Sequence, residues 1–251
     1  MKKRKTKEIK QQAKMALQGH LGTVILGLLA VYGLNMLGTI LSTTLFSGTS
    51  VLDLVLSEVF LLVVSLIVGI ISAGFGYMLL NISRGKEFSL GDLGYFFRNQ
   101  PDRVIIAGFV LALIQVITAI PYYYVSYTTD PGLTVESQLQ WLSVTFGLLA
   151  VGTVLNFLIS IPFAMTYFLM ADDPELGGIN GLKESMHLMK GNIWRYIKLN
   201  LSFIPLMLLS VFTFYIALFW ILPYMEMSLV TFYRDLNGEL DHRLPGDGYY
   251  G

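Results

Sequence analysis

The 17 Lys and Arg residues of this chain fall into four clusters, at 2–14, 84–103, 183–198 and 234–243, and the long stretches between them are almost wholly apolar. Cationic loops are retained on the cytoplasmic side of a membrane. The clusters therefore mark the inner segments of a chain that crosses a bilayer repeatedly. Composition agrees: 54% of residues are hydrophobic, 14% are charged and mean hydropathy is +0.62, whereas a soluble domain carries about 25% charged residues. The formal charge of zero conceals an asymmetry, because the expected outer loops hold Asp53, Glu58, Asp130 and Glu136 and no base. The absence of cysteine excludes disulfides, thiolate metal sites and a thiol nucleophile.

A crossing takes about 20 apolar residues. By that measure spans run over 21–46, 59–82, 104–127 and 142–170, followed by a tract at 197–233 that is too long for one crossing at about 1.5 Å per residue. An even number of crossings returns Arg234 and Arg243 to the side of the other bases, which divides the tract into 197–213 and 216–233 with a turn near 212–217. The expected fold is thus an all-α polytopic membrane bundle of six transmembrane helices, with five as the alternative. Residues 1–20 form a basic cytoplasmic segment, 21–236 a single membrane domain and 237–251 a short cytoplasmic tail. The run 21–46 exceeds the roughly 7–15 residues of a signal-peptide core and reads as a retained first span. The basic arm before it suits anionic lipid at the inner surface.

Each longer inner loop has apolar residues spaced for one helix face, at 84–97 and at 173–190. Both are expected to form amphipathic helices at the cytoplasmic surface. Asp173, Pro174 and Glu175 fit the start of the second. The similar spacings suggest a duplicated unit of span, surface helix and span.

Polar residues within the spans are few. Asn35, Gln115, Asn156 and Glu226 each lie near the middle of a predicted span and form a candidate midplane layer, read either as amide bonding between helices or as the lining of a transport cavity. Glu226, an acid with no base at its depth, is the candidate of greatest interest, with Pro223 ending the span and Glu226 at the outer interface as the competing reading. Ser65, Gly69 and Ala73, four apart, give a smooth face for close helix packing. Tyr32, Asn35, Thr39 and Thr43 form a polar stripe that must face protein or water. Pro121 and Pro223 are expected to mark span ends, and Tyr122, Tyr123, Tyr124, Tyr127 and Trp141 to anchor an interface.

Enzyme signatures are nearly absent. The histidines His20, His187 and His242 are far apart in sequence, no phosphate loop occurs, and Asp172 with Asp173 reads as a helix cap rather than a carboxylate pair. No catalytic residue, metal site or cofactor is expected, and no nucleic-acid partner.

Several segments carry a family pattern: Met165-Thr-Tyr-Phe-Leu-Met-Ala-Asp-Asp-Pro174, Glu184-Ser-Met-His-Leu-Met-Lys-Gly191, Leu199-Asn-Leu-Ser-Phe203, Pro223-Tyr224 and Phe232-Tyr233. Together they resemble a bacterial, mostly Gram-positive, integral membrane family known as domain of unknown function nine hundred seventy-five. The resemblance covers roughly residues 1 to 236, with its specific part at 165–236. Two departures stand out, since Ile204-Pro205 replaces the family's usual Gly-Trp, and Phe212-Thr-Phe-Tyr215 replaces a glycine-containing turn. The resemblance implies a multi-span helical protein and supplies no substrate, reaction or catalytic residue.

The expectation is a multi-pass cell-membrane protein with both termini cytoplasmic. It would act as a non-enzymatic accessory or scaffold component, with the lipid bilayer, further copies of itself or other membrane proteins as partners. The alternative is a small transporter or channel-like protein using Glu226, and the third reading is a lipid-active enzyme.

Overall fold

The computed structural model describes residues 3–48 and 50–241; Lys2 and the part of the expected tail from His242 and Arg243 onward lie outside them. The described chain is all-helical. It runs α1 (Thr6–Leu17), α2 (Leu21–Leu45), α3 (Val51–Ser83), a 3-10 turn (Leu90–Gly94) into α4 (Tyr95–Arg98), α5 (Pro101–Thr128) and α6 (Val135–Ser160). A second 3-10 turn (Ile161–Phe163) leads to α7 (Thr166–Asp172), α8 (Gly178–Met189), α9 (Ile193–Leu201), α10 (Ile204–Phe212) and α11 (Leu218–Leu236). Five helical stretches are long and apolar enough to cross a membrane: Leu21–Leu45, Val51–Ser83, Pro101–Thr128, the broken Val135–Asp172 and Ile193–Phe212.

Most buried side chains gather at one end of the bundle. Buried residues of α3 are confined to Val68–Ile82, those of α5 to Arg103, Val104 and Ala107, and those of α11 begin at Ile221. The core joins Ile9 and Ala13 of α1 to Met78 and Leu79 of α3, Phe168 of α7, Phe203 between α9 and α10, and Phe232 and Tyr233 of α11. Away from this end burial is sparse, although Ser42 of α2 meets Ser57 of α3 and Gly152 of α6 packs against the Thr118 carbonyl of α5. In α6 only Thr145 is buried, and Leu139, Phe146, Val151 and Val154 all lie on the surface. Side chains that apolar cannot face water at this density, so this half of the bundle is built for lipid or for other apolar helices.

Several boundaries differ from the sequence expectation. Asp53 and Glu58 stand inside α3 rather than in an outer loop, because the Ser50 hydroxyl accepts the Asp53 N–H at 3.1 Å and starts the helix eight residues early. Pro121 and Pro223 lie within α5 and α11 and end neither helix; a proline's missing donor is tolerated in such segments where neighbours compensate. Pro162, by contrast, breaks the expected span 142–170 at Ile161–Phe163. The freed backbone is satisfied by Ser185 of α8, whose hydroxyl donates to Pro162 O at 2.8 Å and accepts Met165 N–H at 3.1 Å. The tract at 197–233 does divide into two arms, and the turn between them forces Phe214 and Tyr215 into the left-handed region, with φ of 50° and 65°. Glycine adopts this conformation without steric cost, and neither residue is glycine.

The second short helix begins at Gly178 with Gly177 as its cap, so Asp173 is not its N-cap. Asp173 instead accepts the Glu175 N–H at 2.9 Å in a local turn. Both short segments dock on the bundle. The 3-10 turn lies on α3 where Gly74 leaves no room for a side chain, since a Cβ there would strike the backbone carbonyls of Asp92 and Leu93. Gly74→Ala is therefore expected to destabilise the purified protein by about 1–3 kcal/mol through overpacking. Gly147→Ala, where the added methyl meets open space, should be neutral or stabilising by up to about 1 kcal/mol. Thermal unfolding of the two variants in one detergent checks the pair.

Candidate functional site

Each predicted polar residue has a definite place. Asn35 is exposed and donates to Val31 O of its own helix at 3.1 Å. Gln115 is exposed. Asn156 donates to the Thr118 hydroxyl at 3.4 Å across the α5–α6 contact, and Thr118 in turn donates to the Gln115 carbonyl at 2.9 Å. Glu226 is half-buried on α11, within electrostatic reach of Tyr32 on α2 and Tyr196 on α9. The geometry thus links Asn156 to the backbone of Gln115, and it groups Glu226 with tyrosines rather than with the amides. Of the small residues, Ala73 is fully buried beside Phe96, Val104 and Ala107, Gly69 lies near Tyr167, and Ser65 is exposed, bonding Leu62 O at 2.7 Å.

An apolar cavity of about 240 Å³ lies between α2 and α11, lined by residues that include Leu28, Tyr32, Leu222 and Pro223. At the far end of α3 and α5, Tyr123 lies near Glu58, and Trp141 donates to Thr129 O at 3.1 Å. Tyr124 and Tyr127 are exposed, as interfacial anchors would be.

The most organised polar constellation is elsewhere, at the packed end. Asp235, whose side chain is fully buried, accepts Arg195 at 2.5 Å and Arg4 at 3.2 Å. Arg4 also bonds Asp241 at 3.0 Å and the Leu240 carbonyl. Arg84 grips both oxygens of Asp172, at 2.5 and 2.8 Å, and reaches Glu239 at 2.5 Å. Arg234 bonds Glu239 at 3.1 Å and the Ser83 carbonyl. The Tyr233 hydroxyl donates to Asp172 at 2.7 Å. Burial works against the Arg84 cation, yet its bonds to Asp172 and Glu239 outweigh that, and the guanidinium is held above its ordinary range.

Asp172 is therefore an ion-pair partner of α3 and α11 and not a helix cap. Sequence reading missed this network. The available signal was that Asp172, Asp235 and Glu239 each stand within a few residues of a helix end close to a basic cluster; the identity of each partner is a matter of tertiary contact.

A further cation, Arg103, is 2% exposed, donates to Asp173 O at 2.8 Å and lies 5.1 Å from the Phe96 ring. Among the described residues no group of three His, Asp or Glu side chains could hold a metal ion. The network ties five segments together and leaves its acids matched by arginines, an arrangement suited to holding structure. Asp235→Asn leaves the partly buried Arg195 without a counter-charge and Arg4 with Asp241 alone, and should cost about 3 kcal/mol. Asp53→Asn, at an exposed helix start, should change stability by less than about 1 kcal/mol. Denaturation of both variants in detergent gives the comparison.

Neither curated proteins nor solved structures give a match to this chain. The family described as Protein of unknown function (DUF975) matches residues 1–239, nearly the whole of the described chain, and the protein belongs to that family.

Proposed function

We propose that this protein is a six-span component of a bacterial cell membrane, with both termini cytoplasmic, that acts as a non-enzymatic accessory or scaffold. The observation that carries the reading is the division of the bundle. One end is closed by matched charges, and the other exposes apolar helix faces, above all on α6, whose described neighbours are chiefly α5 and the turn that follows it. Faces of this kind accept other membrane helices, from further copies of the chain or from a different protein.

The ends of α9 and α11 support an even number of crossings. Arg195, at the start of α9, and Asp235, near the end of α11, are ion-paired, so the tract leaves from and returns to one side. Arg4 and Arg84 lie at that same side, which the charge rule makes cytoplasmic. The short helices α4 and α8 then lie at the cytoplasmic surface, docked on α3 and α7.

Transport is the second reading, favoured by Glu226 beside Tyr32 and by the neighbouring apolar cavity. The two separate experimentally. A scaffold co-purifies with partners or with itself after crosslinking in native membranes, and Glu226→Gln leaves that assembly intact. Solute or proton flux in liposomes of pure protein, abolished by Glu226→Gln, would replace the scaffold reading with the transport one. The topology has its own check. A cysteine replacing Gly251, in the tail beyond the described residues, should resist an impermeant maleimide in intact cells and react after permeabilisation; labelling in intact cells would leave five crossings.

A further inference from the structure

Among the described cations, Arg4, Arg84, Arg195 and Arg234 are matched by carboxylates and the lysines of α1 are not. Lys7, Lys10 and Lys14 occur three and four positions apart, so they share one helix face. The opposite face carries Ile9, Ala13 and Leu17 into the core. The lysine face fronts a wide depression of about 800 Å³, closed on its far side by Ser202, where α9 gives way to α10, and by Tyr224 of α11. The Lys10 ammonium donates to the Ser202 carbonyl and hydroxyl at 3.2 Å each, and it sits 3.9 Å over the Phe203 ring and 5.5 Å from that of Tyr224.

No carboxylate pairs with Lys7, Lys10 or Lys14 among the described residues. Nearby Asp235 is already shared by Arg4 and Arg195. Glu8 projects from a different face of α1, where it receives the Lys5 N–H at 3.2 Å. The depression thus has cations on one wall, a hydroxyl and aromatic rings on the other, and an uncompensated positive charge. Burial lowers the Lys10 ammonium from its ordinary range, as expected of a cation that lacks a counter-ion.

We propose that this depression is a binding site for the phosphate headgroup of an anionic phospholipid, with Lys7, Lys10 and Lys14 as the charge partners and Ser202, whose hydroxyl donates to the Leu199 carbonyl, holding Lys10 in place. Two features select a lipid over a free anion. The site adjoins the start of α10, a helix that carries exposed apolar side chains such as Ile204 and Leu208, so surface suited to hydrocarbon begins at the depression. Tyr224 and Phe203 pack edge to face at 5.2 Å, an aromatic floor of the kind that suits the boundary between headgroups and hydrocarbon. Three lysines without acids at that depth attract anionic over zwitterionic headgroups.

The inference rests on the membrane reading and not on the scaffold role. It is tested on the purified full chain by titrating short-chain phosphatidylglycerol, phosphatidylcholine of the same chain length or inorganic phosphate, with thermal unfolding and native mass spectrometry as readouts. Phosphatidylglycerol should raise the unfolding temperature and remain bound, while phosphatidylcholine and inorganic phosphate should do neither. The double variant Lys7→Gln/Lys14→Gln removes two exposed side chains and should fold normally. It should bind phosphatidylglycerol on the order of tenfold more weakly, and a control change at Lys5, on another face of the helix, should not. Equal stabilisation of the double variant and the parent by phosphatidylglycerol would overturn the site. An equal response to inorganic phosphate would overturn the lipid as its occupant. Release of the chain from membranes by alkaline carbonate would instead strike at the membrane reading itself.

Discussion

A carboxylate removed from water costs several kcal/mol unless opposite charge and hydrogen bonds replace its hydration. Asp235 meets that condition only because Arg4, from the N-terminal segment, and Arg195, from the start of α9, occupy both of its oxygens. Much of the packed end follows from this requirement. For Arg4 to reach Asp235, α1 must lie along α11, and that contact drives Ile9 and Ala13 into the core. For Arg195 to reach it, α9 must start where α11 finishes. Arg84 and Arg234 repeat the logic one layer away, joining α3, α7 and the segment after α11 through Asp172 and Glu239.

The apolar tracts made the helices legible, since a run of 20 or more apolar residues between basic clusters has few other physical solutions. Segments within 165–236 also carried enough of a family pattern to indicate membership. What could not be read were features decided by one contact. The early start of α3 depends on the Ser50 hydroxyl, and the break after α6 depends on Pro162 being served by Ser185, more than twenty residues away. Asp172 looks like a cap in sequence because its partners, Arg84 and Tyr233, are contributed by other helices.

The candidate layer shows the same limit. Asn35, Gln115, Asn156 and Glu226 share a nominal depth when counted along separate helices, but depth fixes only one coordinate. Rotation about each helix axis fixes the other. That rotation turns Asn35 to its own backbone and brings Asn156 to Thr118. Glu226 faces a different set of neighbours, among which Tyr32 is the member of the predicted polar stripe.

The bond between Arg4 and Asp241 spans 237 positions, so the first and last described segments meet. A chain inserted from its N-terminus places α2 to α6 in the bilayer well before Asp235 and Asp241 have been synthesised. During that interval α1 has neither its ionic partners nor the helix against which Ile9 and Ala13 pack. Closing so long a loop is entropically slow for a free chain, but spans already held in a membrane have surrendered most of that freedom. Assembly then ends as it began, with the N-terminal arm waiting at the membrane surface and docking only when the final helix returns to it.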